Sequence, residues 1–117
     1  MAPVTGRKVR FALVGCGRIA QNHLSAIAKH GDRCEVVDVC DTSPEALRAA
    51  ASATGATPHA TLGQMLANTN ADCVVLTTPS GLHPPQAIQT AQAGFNVMTE
   101  KPMATRWQDG LAMVDAC

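Results

Sequence analysis

Several features that mark large classes of protein are missing from this sequence. Its 117 residues include no Tyr, one Trp and two Phe, and its nine basic residues equal its nine acidic ones. A nucleic-acid surface requires basic residues interleaved with aromatic ones, and no such stripe is present. No apolar run approaches the ~20 residues that a membrane-spanning helix needs. We therefore expect neither nucleic acid nor a membrane as a partner.

The cysteines lack the pattern of a metal site or of a disulfide framework. They are odd in number, form no C-x-x-C pair, and three of them fall in strand-like runs. We expect small buried hydrophobes in a reducing cytoplasm, with no metal bound. The five are Cys16, Cys34, Cys40, Cys73 and Cys117. The polar opening segment 1–8 lacks the hydrophobic stretch of a signal peptide and is interpreted as a tail.

What the sequence does contain is an alternation of strand-like and helix-like segments. Apolar, β-rich runs predict strands at 9–14, 34–40, 72–78 and 95–99, with a weaker one at 57–60. This order is typical of an α/β protein with a Rossmann-type, doubly wound parallel sheet. Ligands of such sheets bind beyond the carboxyl ends of the strands. Because only five strands are counted, we expect the domain at 9–117 to be truncated before its sixth strand.

Capping signals predict where the helices begin and end. Ser or Thr followed by Pro, or by Gln three positions on, is typical of a helix start, and Gly is typical just beyond an end. The predicted starts are Ser43 with Pro44, Thr61 with Gln64, Pro84 with Pro85, and Thr105 with Gln108; the predicted ends are Gly31, Gly55 and Gly94. The last helix carries apolar residues on one face, namely Trp107, Leu111 and Val114.

The stretch "GCGRIA" between the first strand and the first helix fits the pattern G-x-G-x-x-A. Gly15 permits a tight turn, Gly17 lets the backbone approach a pyrophosphate, and Ala20 allows close packing of helix on strand. The N–H groups and the dipole of the helix start then favour phosphate. The alternative is a glycine turn that binds nothing. The cofactor-binding candidates here are Gly15, Cys16, Gly17, Arg18 and Ile19.

Asp41 ends the second strand, where an acidic residue is expected to accept hydrogen bonds from the ribose hydroxyls of a dinucleotide. Its alternative role is that of a turn residue ahead of the Ser43 cap. Neither Thr42 nor Ser43 is an arginine that would receive a 2′-phosphate. We therefore expect NAD in preference to NADP, with Asp41 and Ser43 among the cofactor-binding residues.

The fourth strand leads into "TTPSGLHPP", which ends at the same edge of the predicted sheet. Its residues are candidates for lining the path of the nicotinamide riboside. They are Thr78, Pro79, Ser80 and His83. For His83 the alternative is a capping or turn histidine at the helix start. Of the other histidines, His23 is assigned to packing of the first helix, and His30 and His59 have no predicted partner.

The fifth strand ends in "EKP", which brings Glu100 and Lys101 to the position expected for a nicotinamide ring. Oxidation of an alcohol transfers a hydride from carbon while the hydroxyl loses a proton. Lys101 is the catalytic candidate, because an amine can accept that proton or an ammonium can stabilise the alkoxide. Both roles stay open, as does a rim ion pair that catalyses nothing. Pro102 confines Lys101 to extended backbone angles.

Four stretches in this order resemble a known family: "GCGRIAQNH", "VCDTSPEA", "TPSGLHPPQAI" and "GFNVMTEKPMA". They are similar to the N-terminal domain of the glucose-fructose oxidoreductase, inositol dehydrogenase and MocA family, from about residue 9 to 117. Within it, "TPSGLHP" and "TEKPMATRW" look closest to the UDP-N-acetyl-glucosaminuronate 3-dehydrogenases of lipopolysaccharide sugar synthesis.

The resemblance implies NAD(P)-dependent oxidation of a sugar or sugar-nucleotide hydroxyl, with Lys101 near the reacting oxygen. It also implies a second domain that binds the substrate and builds oligomers, which this chain lacks. We expect the chain alone to bind NAD, to self-associate and to be inactive. The alternatives are a non-catalytic nucleotide-binding or sensing module and a CoA-binding domain.

Overall fold

The computed structural model describes residues 3–117, and its centre is a sheet of five parallel strands in the order β3-β2-β1-β4-β5. The strands are β1 Val9–Val14, β2 Cys34–Cys40, β3 Thr57–His59, β4 Cys73–Leu76 and β5 Asn96–Thr99. Strand order reverses between β1 and β4, which makes their carboxyl ends the switch point of the sheet. This arrangement confirms the predicted Rossmann-type α/β fold.

Five α-helices connect the strands or follow them. They are α1 Arg18–Lys29, α2 Pro44–Thr54, α3 Leu62–Asn68, α4 His83–Gln92 and α5 Trp107–Ala116, with a 3-10 turn at Ser80–Leu82 ahead of α4. The predicted caps of α2 and α3 are confirmed, because the hydroxyls of Ser43 and Thr61 accept hydrogen bonds from the N–H groups of Ala46 and Gln64. None of the helices between residues 3 and 117 is long and apolar enough to cross a membrane.

Each face of the sheet carries its own core, because successive strand side chains point to opposite faces. On one face Leu13 and Val75 pack with residues of α1 and α2, including Ala20, Leu24 and Ala50. On the other face Val14 and Leu76 pack with residues of α3, α4 and α5, including Met65, Ala87 and Met113. The sheet is therefore covered on both faces, which leaves the strand ends free to build a site.

The fourth strand is shorter than the sequence predicts. β4 ends at Leu76, because Thr77 turns towards the loop after β1 and its hydroxyl donates to the carbonyls of Val14 and Gly15 at 3.0 and 2.7 Å. α4 begins at His83, one residue before the predicted Pro84. These shifts move the segment from Thr77 to Leu82 out of regular structure and onto the rim of the sheet.

The predicted capping box of the last helix is wrong. Arg106 occupies the N-cap of α5 and makes no side-chain cap, so Thr105 lies one residue outside the helix. The residue that α5 buries is Met113. Trp107 and Val114 are instead 80% and 63% exposed. The apolar face predicted for this helix is thus turned away from the core of the described domain.

The opening segment is attached to the sheet through Arg7. Its guanidinium donates two hydrogen bonds to the Asp72 carboxylate, at 2.8 and 2.7 Å, and the Arg10 N–H donates to the same carboxylate at 2.8 Å. The Arg7 side chain and the Arg10 N–H lower the pKa of Asp72 to about 2. Residues 1 and 2 of the predicted tail lie outside the described part.

Candidate functional site

The carboxyl ends of the strands surround a cavity of about 460 Å³ at the switch point of the sheet. That volume falls in the ~300–1,000 Å³ range of small-molecule and cofactor sites. Its lining comes from the segments that follow β1, β2, β3 and β4: Val14, Gly15, Gly17, Cys40, Asp41, Thr42, Ala60, Thr61, Leu62, Thr77, Thr78, Pro79, Leu82 and Gln86. The cavity therefore gathers the ends of β1, β2, β3 and β4 at one place, whereas the end of β5, which the sequence analysis also assigned to the cofactor, is not part of its lining.

Gly15 makes the turn after β1 and tolerates no side chain. Its φ is +92°, and a Cβ added there would lie 2.8 Å from both the carbonyl carbon and the oxygen of Thr77. The Gly15 N–H donates to the Cys40 carbonyl at 2.8 Å. This glycine is thus required by the close approach of the loops after β1 and β4.

Gly17 serves a different purpose, because nothing lies within 4 Å of a Cβ placed on it. It is the N-cap of α1, which has no side-chain cap and no acidic residue in its first turn. The first N–H groups of a helix have no partner within the helix, and they favour an anion. Open space beside uncapped N–H groups suits a pyrophosphate.

Cys16, Arg18 and Ile19 are placed differently from one another. The Cys16 thiol is buried against the Cys40 carbonyl at 3.5 Å, and burial raises its pKa to about 11. The Cys16 side chain is therefore not available to a ligand, its N–H is donated to Asp41, and Cys16 does not line the cavity. Arg18 and Ile19 are exposed at the start of α1 and do not line the cavity.

Asp41 joins the glycine loop to the start of α2. One carboxylate oxygen accepts from the Cys16 N–H at 2.7 Å, and the other accepts from the Ser43 N–H at 2.8 Å. A carboxylate has about four lone-pair sites, so two remain for other donors. Because Asp41 lines the cavity, those sites are within reach of a ligand there. Ser43 does not line the cavity, and its hydroxyl caps α2.

The loop after β4 is brought to the cavity at Thr78 and Pro79 but not at the other two predicted residues. The Thr78 hydroxyl donates to the side-chain carbonyl of Gln86 at 2.6 Å, which fixes Thr78 against α4. Ser80 lies in the 3-10 turn, outside the cavity lining.

His83 is not placed to touch a ligand in the cavity, contrary to its assignment as a cofactor-binding residue. Its side chain is 1% exposed. Nδ1 lies 3.0 Å from the Pro102 carbonyl oxygen and Nε2 lies 2.9 Å from that of Thr78. Each ring nitrogen thus faces a carbonyl oxygen, which only accepts, so the neutral ring donates from one nitrogen and the protonated ring donates from both. This is a structural use closer to the alternative role.

The "EKP" segment lies beyond β5, outside the cavity lining. Glu100 lies 2.6 Å from Nε2 of His23 on α1, so His23 does more than pack. Hydrogen bonding with His23 lowers the pKa of Glu100, and the Lys101 N–H and charge act in the same direction. Lys101 is exposed, and the Lys101–Pro102 peptide bond is cis. The segment thus presents a lysine side chain at the rim.

Several residues of the cavity were missed by the sequence analysis. Ala60, Thr61 and Leu62 follow the short strand β3, and Leu82 and Gln86 face them from the β4 side. The first three could have been found from the rule that the carboxyl ends of parallel strands lie at the same edge of the sheet. Leu82 and Gln86 lie within the quoted stretch "TPSGLHPPQAI" but were not singled out, because only the packing of the loop ahead of α4 brings these two side chains to the cavity. In the described part of the chain, no group of three or more His, Cys, Asp or Glu residues is placed to hold a metal ion.

Comparison with protein families gives a match over nearly the whole chain. The family model that matches residues 9–117 is GFO_IDH_MocA, described as an oxidoreductase family with an NAD-binding Rossmann fold. Among curated proteins, D-apiose dehydrogenase from Paraburkholderia graminis is 36% identical over 114 residues, which are 97% of this chain and 30% of that protein.

Two solved structures are similar in both sequence and fold. The WlbA dehydrogenase from Chromobacterium violaceum, in complex with NADH and UDP-GlcNAcA, is 66% identical with a TM-score of 0.98, over 99% of this chain and 34% of that one. The WlbA dehydrogenase from Bordetella pertussis, in complex with the same two ligands, is 66% identical with a TM-score of 0.96, over 98% and 34%. The chain spans about a third of the length of these relatives.

Proposed function

This chain belongs to the GFO_IDH_MocA oxidoreductase family, and on that basis we propose that it is the NAD-binding domain of a dehydrogenase of sugars or sugar nucleotides. The family resemblance inferred from the motifs is confirmed by the match over residues 9–117. We assign that range to the dinucleotide-binding domain. Substrate binding is assigned to a further domain outside the 117 residues.

The observation that carries the proposal is the cavity at the switch point. Gly17 offers open space beside the uncapped start of α1, which suits the pyrophosphate. Asp41 lines the same cavity on the β2 side, where it can accept from the ribose hydroxyls of an adenosine. Phosphate and ribose subsites thus adjoin in one cavity, as an extended dinucleotide requires.

NAD is the cofactor that this geometry favours over NADP. A carboxylate that accepts from the ribose hydroxyls would repel a 2′-phosphate. The neighbouring Thr42 lines the cavity and brings no positive charge to offset that repulsion. Asp41 therefore supports the choice that the sequence analysis made.

Lys101 is the residue to which we assign the proton transfer. NAD supplies the hydride acceptor when it is bound. In the chain itself, the exposed Lys101 amine at the end of β5 can take the proton from the substrate hydroxyl or stabilise the alkoxide while charged. Glu100 beside it bonds to His23 and is the candidate for contact with the nicotinamide half.

The substrate class we propose is a sugar nucleotide that carries a uronic acid, as in lipopolysaccharide sugar synthesis. It is supported by the two structures of WlbA dehydrogenases with UDP-GlcNAcA, each 66% identical to this chain. Identity of that degree over the cofactor half favours a shared reaction. The residues that would select the sugar lie in the part of those proteins that the chain does not match.

A direct test is titration of the chain with NADH and NADPH, followed by fluorescence. We expect tighter binding of NADH, and we expect Asp41→Ala to narrow the difference between the two. Asp32→Ala is the matched control, because Asp32 is an exposed carboxylate that does not line the cavity. Equal or reversed affinities in the unmodified chain would remove the assignment of Asp41.

The competing function is a non-catalytic nucleotide-binding or sensing module. It is favoured by one observation, namely that the cavity lining does not include Lys101. Such a module would bind NADH and would not need the lysine. Hydride transfer to NAD by a longer protein that contains this chain would exclude it, and tight CoA with weak NADH binding would indicate a CoA-binding domain instead.

Self-association is proposed for the chain by itself, through the β5 edge of the sheet. Among residues 3–117, β5 has a strand neighbour on one side only, Met98 on it is 48% exposed, and Trp107 on α5 is 80% exposed. Unpaired strand edges with apolar neighbours tend to pair with other chains. Sedimentation should show association that weakens in Met98→Lys. A strictly monomeric species over a wide concentration range would contradict it.

The compartment we propose is the cytoplasm. All five cysteines are free, and two of them, Cys16 and Cys40, are buried. Free thiols are typical of a reducing compartment. Alkylation of the protein, purified without reductant from its source, followed by peptide mass spectrometry, should find these five cysteines as free thiols.

A further inference from the structure

Lys101 lies between two residues that are each held by a histidine from a different helix. Glu100 is bonded to His23 of α1, and Pro102 is bonded to His83 of α4. α1 and α4 pack on opposite faces of the sheet. The backbone on either side of Lys101 is therefore held from both faces of the domain.

The contact on the α1 side reaches the Lys101 backbone through one carboxylate. Glu100 Oε1 lies 2.6 Å from His23 Nε2, and Oε2 accepts from the Lys101 N–H at 3.3 Å. The hydrogen bond from His23 lowers the pKa of this carboxylate most, and the Lys101 N–H and charge lower it further. An ionised carboxylate has only acceptor sites, so His23 is the donor of this bond.

The contact on the α4 side is buried. The ring of His83 lies between the carbonyl oxygens of Thr78 and Pro102, at 2.9 and 3.0 Å. It thereby connects the loop after β4, which lines the cavity, to the residue that follows Lys101. A buried polar group that loses its partner is costly, so this connection resists opening.

The Lys101 side chain itself has no hydrogen-bond or ion-pair partner within residues 3–117. Lys101 is exposed, whereas His23 is half-buried and His83 is buried. A group that acts on a substrate needs a fixed backbone and a side chain free to meet the reacting atom. Lys101 has both.

We propose that His23 and His83 are positioning residues that fix Lys101 at the rim beyond β5, next to the place assigned to the nicotinamide. The inference rests on the proposed function, because it takes the rim beyond β5 as the place of the nicotinamide. His23 acts through Glu100, and His83 acts through Pro102. Neither histidine contacts the cofactor or the substrate.

A positioning role predicts weaker binding at the nicotinamide end of the dinucleotide alone. A general structural role predicts weaker binding at both ends. AMP tests the adenosine end alone, whereas NADH also needs the nicotinamide end. We expect His23→Leu to weaken NADH binding about tenfold, since it releases the charged Glu100, the candidate for contact with the nicotinamide half, while AMP binding changes by less than about twofold. Loss of both affinities together would indicate a general structural role and would overturn the proposal.

Gln is the rescue variant for His23, because its amide nitrogen can occupy the position of Nε2 and donate to Glu100. His23→Gln should restore most of the NADH affinity. The matched control is His30→Gln, since His30 is exposed at the end of α1 and lies far along the helix from Glu100. Equal NADH affinities of the Gln and Leu variants at position 23 would overturn the role of His23.

Two variants of His83 separate its two contacts. Asn places its amide nitrogen near Nδ1 and keeps the Pro102 contact, whereas Gln places it near Nε2 and keeps the Thr78 contact. Both remove a similar ring volume, so their melting temperatures should fall alike. We expect His83→Gln to weaken NADH binding more than His83→Asn, because only the former releases Pro102 and with it the backbone that carries Glu100, the candidate for contact with the nicotinamide half. The reverse order would overturn the role of His83.

An NMR measurement keeps the proposal independent of cofactor binding. The amide signal of Lys101 in the unliganded chain should shift in His23→Leu and His83→Gln, and it should return near its original position in His23→Gln. If the unmodified chain binds neither NADH nor AMP, the proposed function fails, and the amide signal still decides whether the histidines hold Lys101. An unmoved Lys101 signal in both disruptive variants would refute the positioning role.

Discussion

The two halves of the rim, which we assign to the adenosine and to the nicotinamide of the cofactor, are built in different ways. The first half, after β1 and β2, is closed by two short hydrogen bonds: the Gly15 N–H donates to the Cys40 carbonyl at 2.8 Å, and the Cys16 N–H donates to the Asp41 carboxylate at 2.7 Å. The second half, beyond β5, is open, and it exposes Lys101 together with apolar side chains such as Trp107. The first half is a formed cavity, whereas the second is a surface.

This difference shows how much of each half depends on distant parts of the chain. Asp41 accepts a hydrogen bond from the N–H of Cys16, 25 residues earlier in the chain. The two residues are close because the strands that precede them, β1 and β2, are neighbours in the sheet. Glu100 is held by His23, 77 residues away and on a helix rather than a strand. The adenosine half follows from the sheet alone, while the nicotinamide half also needs α1 and α4 to be packed correctly.

The largest effect is expected from Lys101→Met, which tests whether the open half carries the chemistry. In a fusion of this chain to the unmatched part of the WlbA dehydrogenase from Chromobacterium violaceum, we expect turnover to fall ~10²–10⁴-fold, the usual contribution of an acid-base group. NADH affinity and melting temperature should hardly change. The chain without that part should bind NADH and show no turnover with either residue.

Steady-state kinetics and a thermal melt of the same preparations check this expectation. Methionine keeps much of the lysine volume but can neither take a proton nor stabilise an alkoxide. Near-normal turnover of the Met variant would make "EKP" a structural strand end.

The next effect concerns the closed half, where glycine substitutions separate fold from binding. Gly15→Ala should cost at least about 2 kcal/mol of unfolding free energy, because it adds a collision with Thr77 to an unfavourable φ of +92°. Gly55 has a φ of +74° with open space around it, so Gly55→Ala is the matched control and should cost about 1 kcal/mol. Chemical denaturation measures both.

Gly17→Ala should separate the effect on stability from the effect on NADH binding. The φ of Gly17 is −81°, which any residue adopts, and a Cβ there meets nothing within 4 Å. We expect nearly unchanged stability but weaker NADH binding, as the methyl group would occupy the space assigned to the pyrophosphate. Unchanged NADH affinity in this variant would place the phosphates elsewhere.

The smallest effect is expected at the opposite end of the strands, where Asp72 binds Arg7. The lowered pKa of Asp72, from 3.8 to about 2, means that the folded state favours the carboxylate. Its contribution to stability is therefore complete above about pH 4 and is lost as the pH falls towards 2. Asp72→Asn should lower the melting temperature by a few degrees at pH 7 and flatten its fall between pH 4 and pH 2.

Thermal melts of both proteins across this pH range, with NADH titration at pH 7, provide the measurement. Asp72 is far from the rim, so both halves of the site should keep their affinities. A parallel fall of the two melting curves with pH would show that the Arg7 contact does not contribute.

Elements with a local signal were predicted well from the sequence. β1 and β2 have the predicted bounds, and α2 has the predicted cap and the predicted end at Gly55. Each depends on neighbouring residues only: apolar runs, a proline at the first helical turn, a glycine with positive φ. The predicted N-cap of α5 was wrong because the helix begins one residue later, with Arg106 instead of Thr105 at the N-cap, and local spacing does not decide between two neighbouring positions.

By itself, the sequence determined the α/β fold class with its parallel sheet, the glycine loop after β1 and the residues that lie at the strand ends. Periodicity of two and of 3.6 fixes which side chains face the sheet, and strand ends share a rim whenever strands are parallel. Only the tertiary structure decided the partners of the histidines: His23 with Glu100, His83 with two carbonyls, and His59 with the buried Asp38 at 2.7 Å. Such pairs join elements that are far apart in the chain, and their geometry depends on how helices pack on the sheet, which no local pattern records.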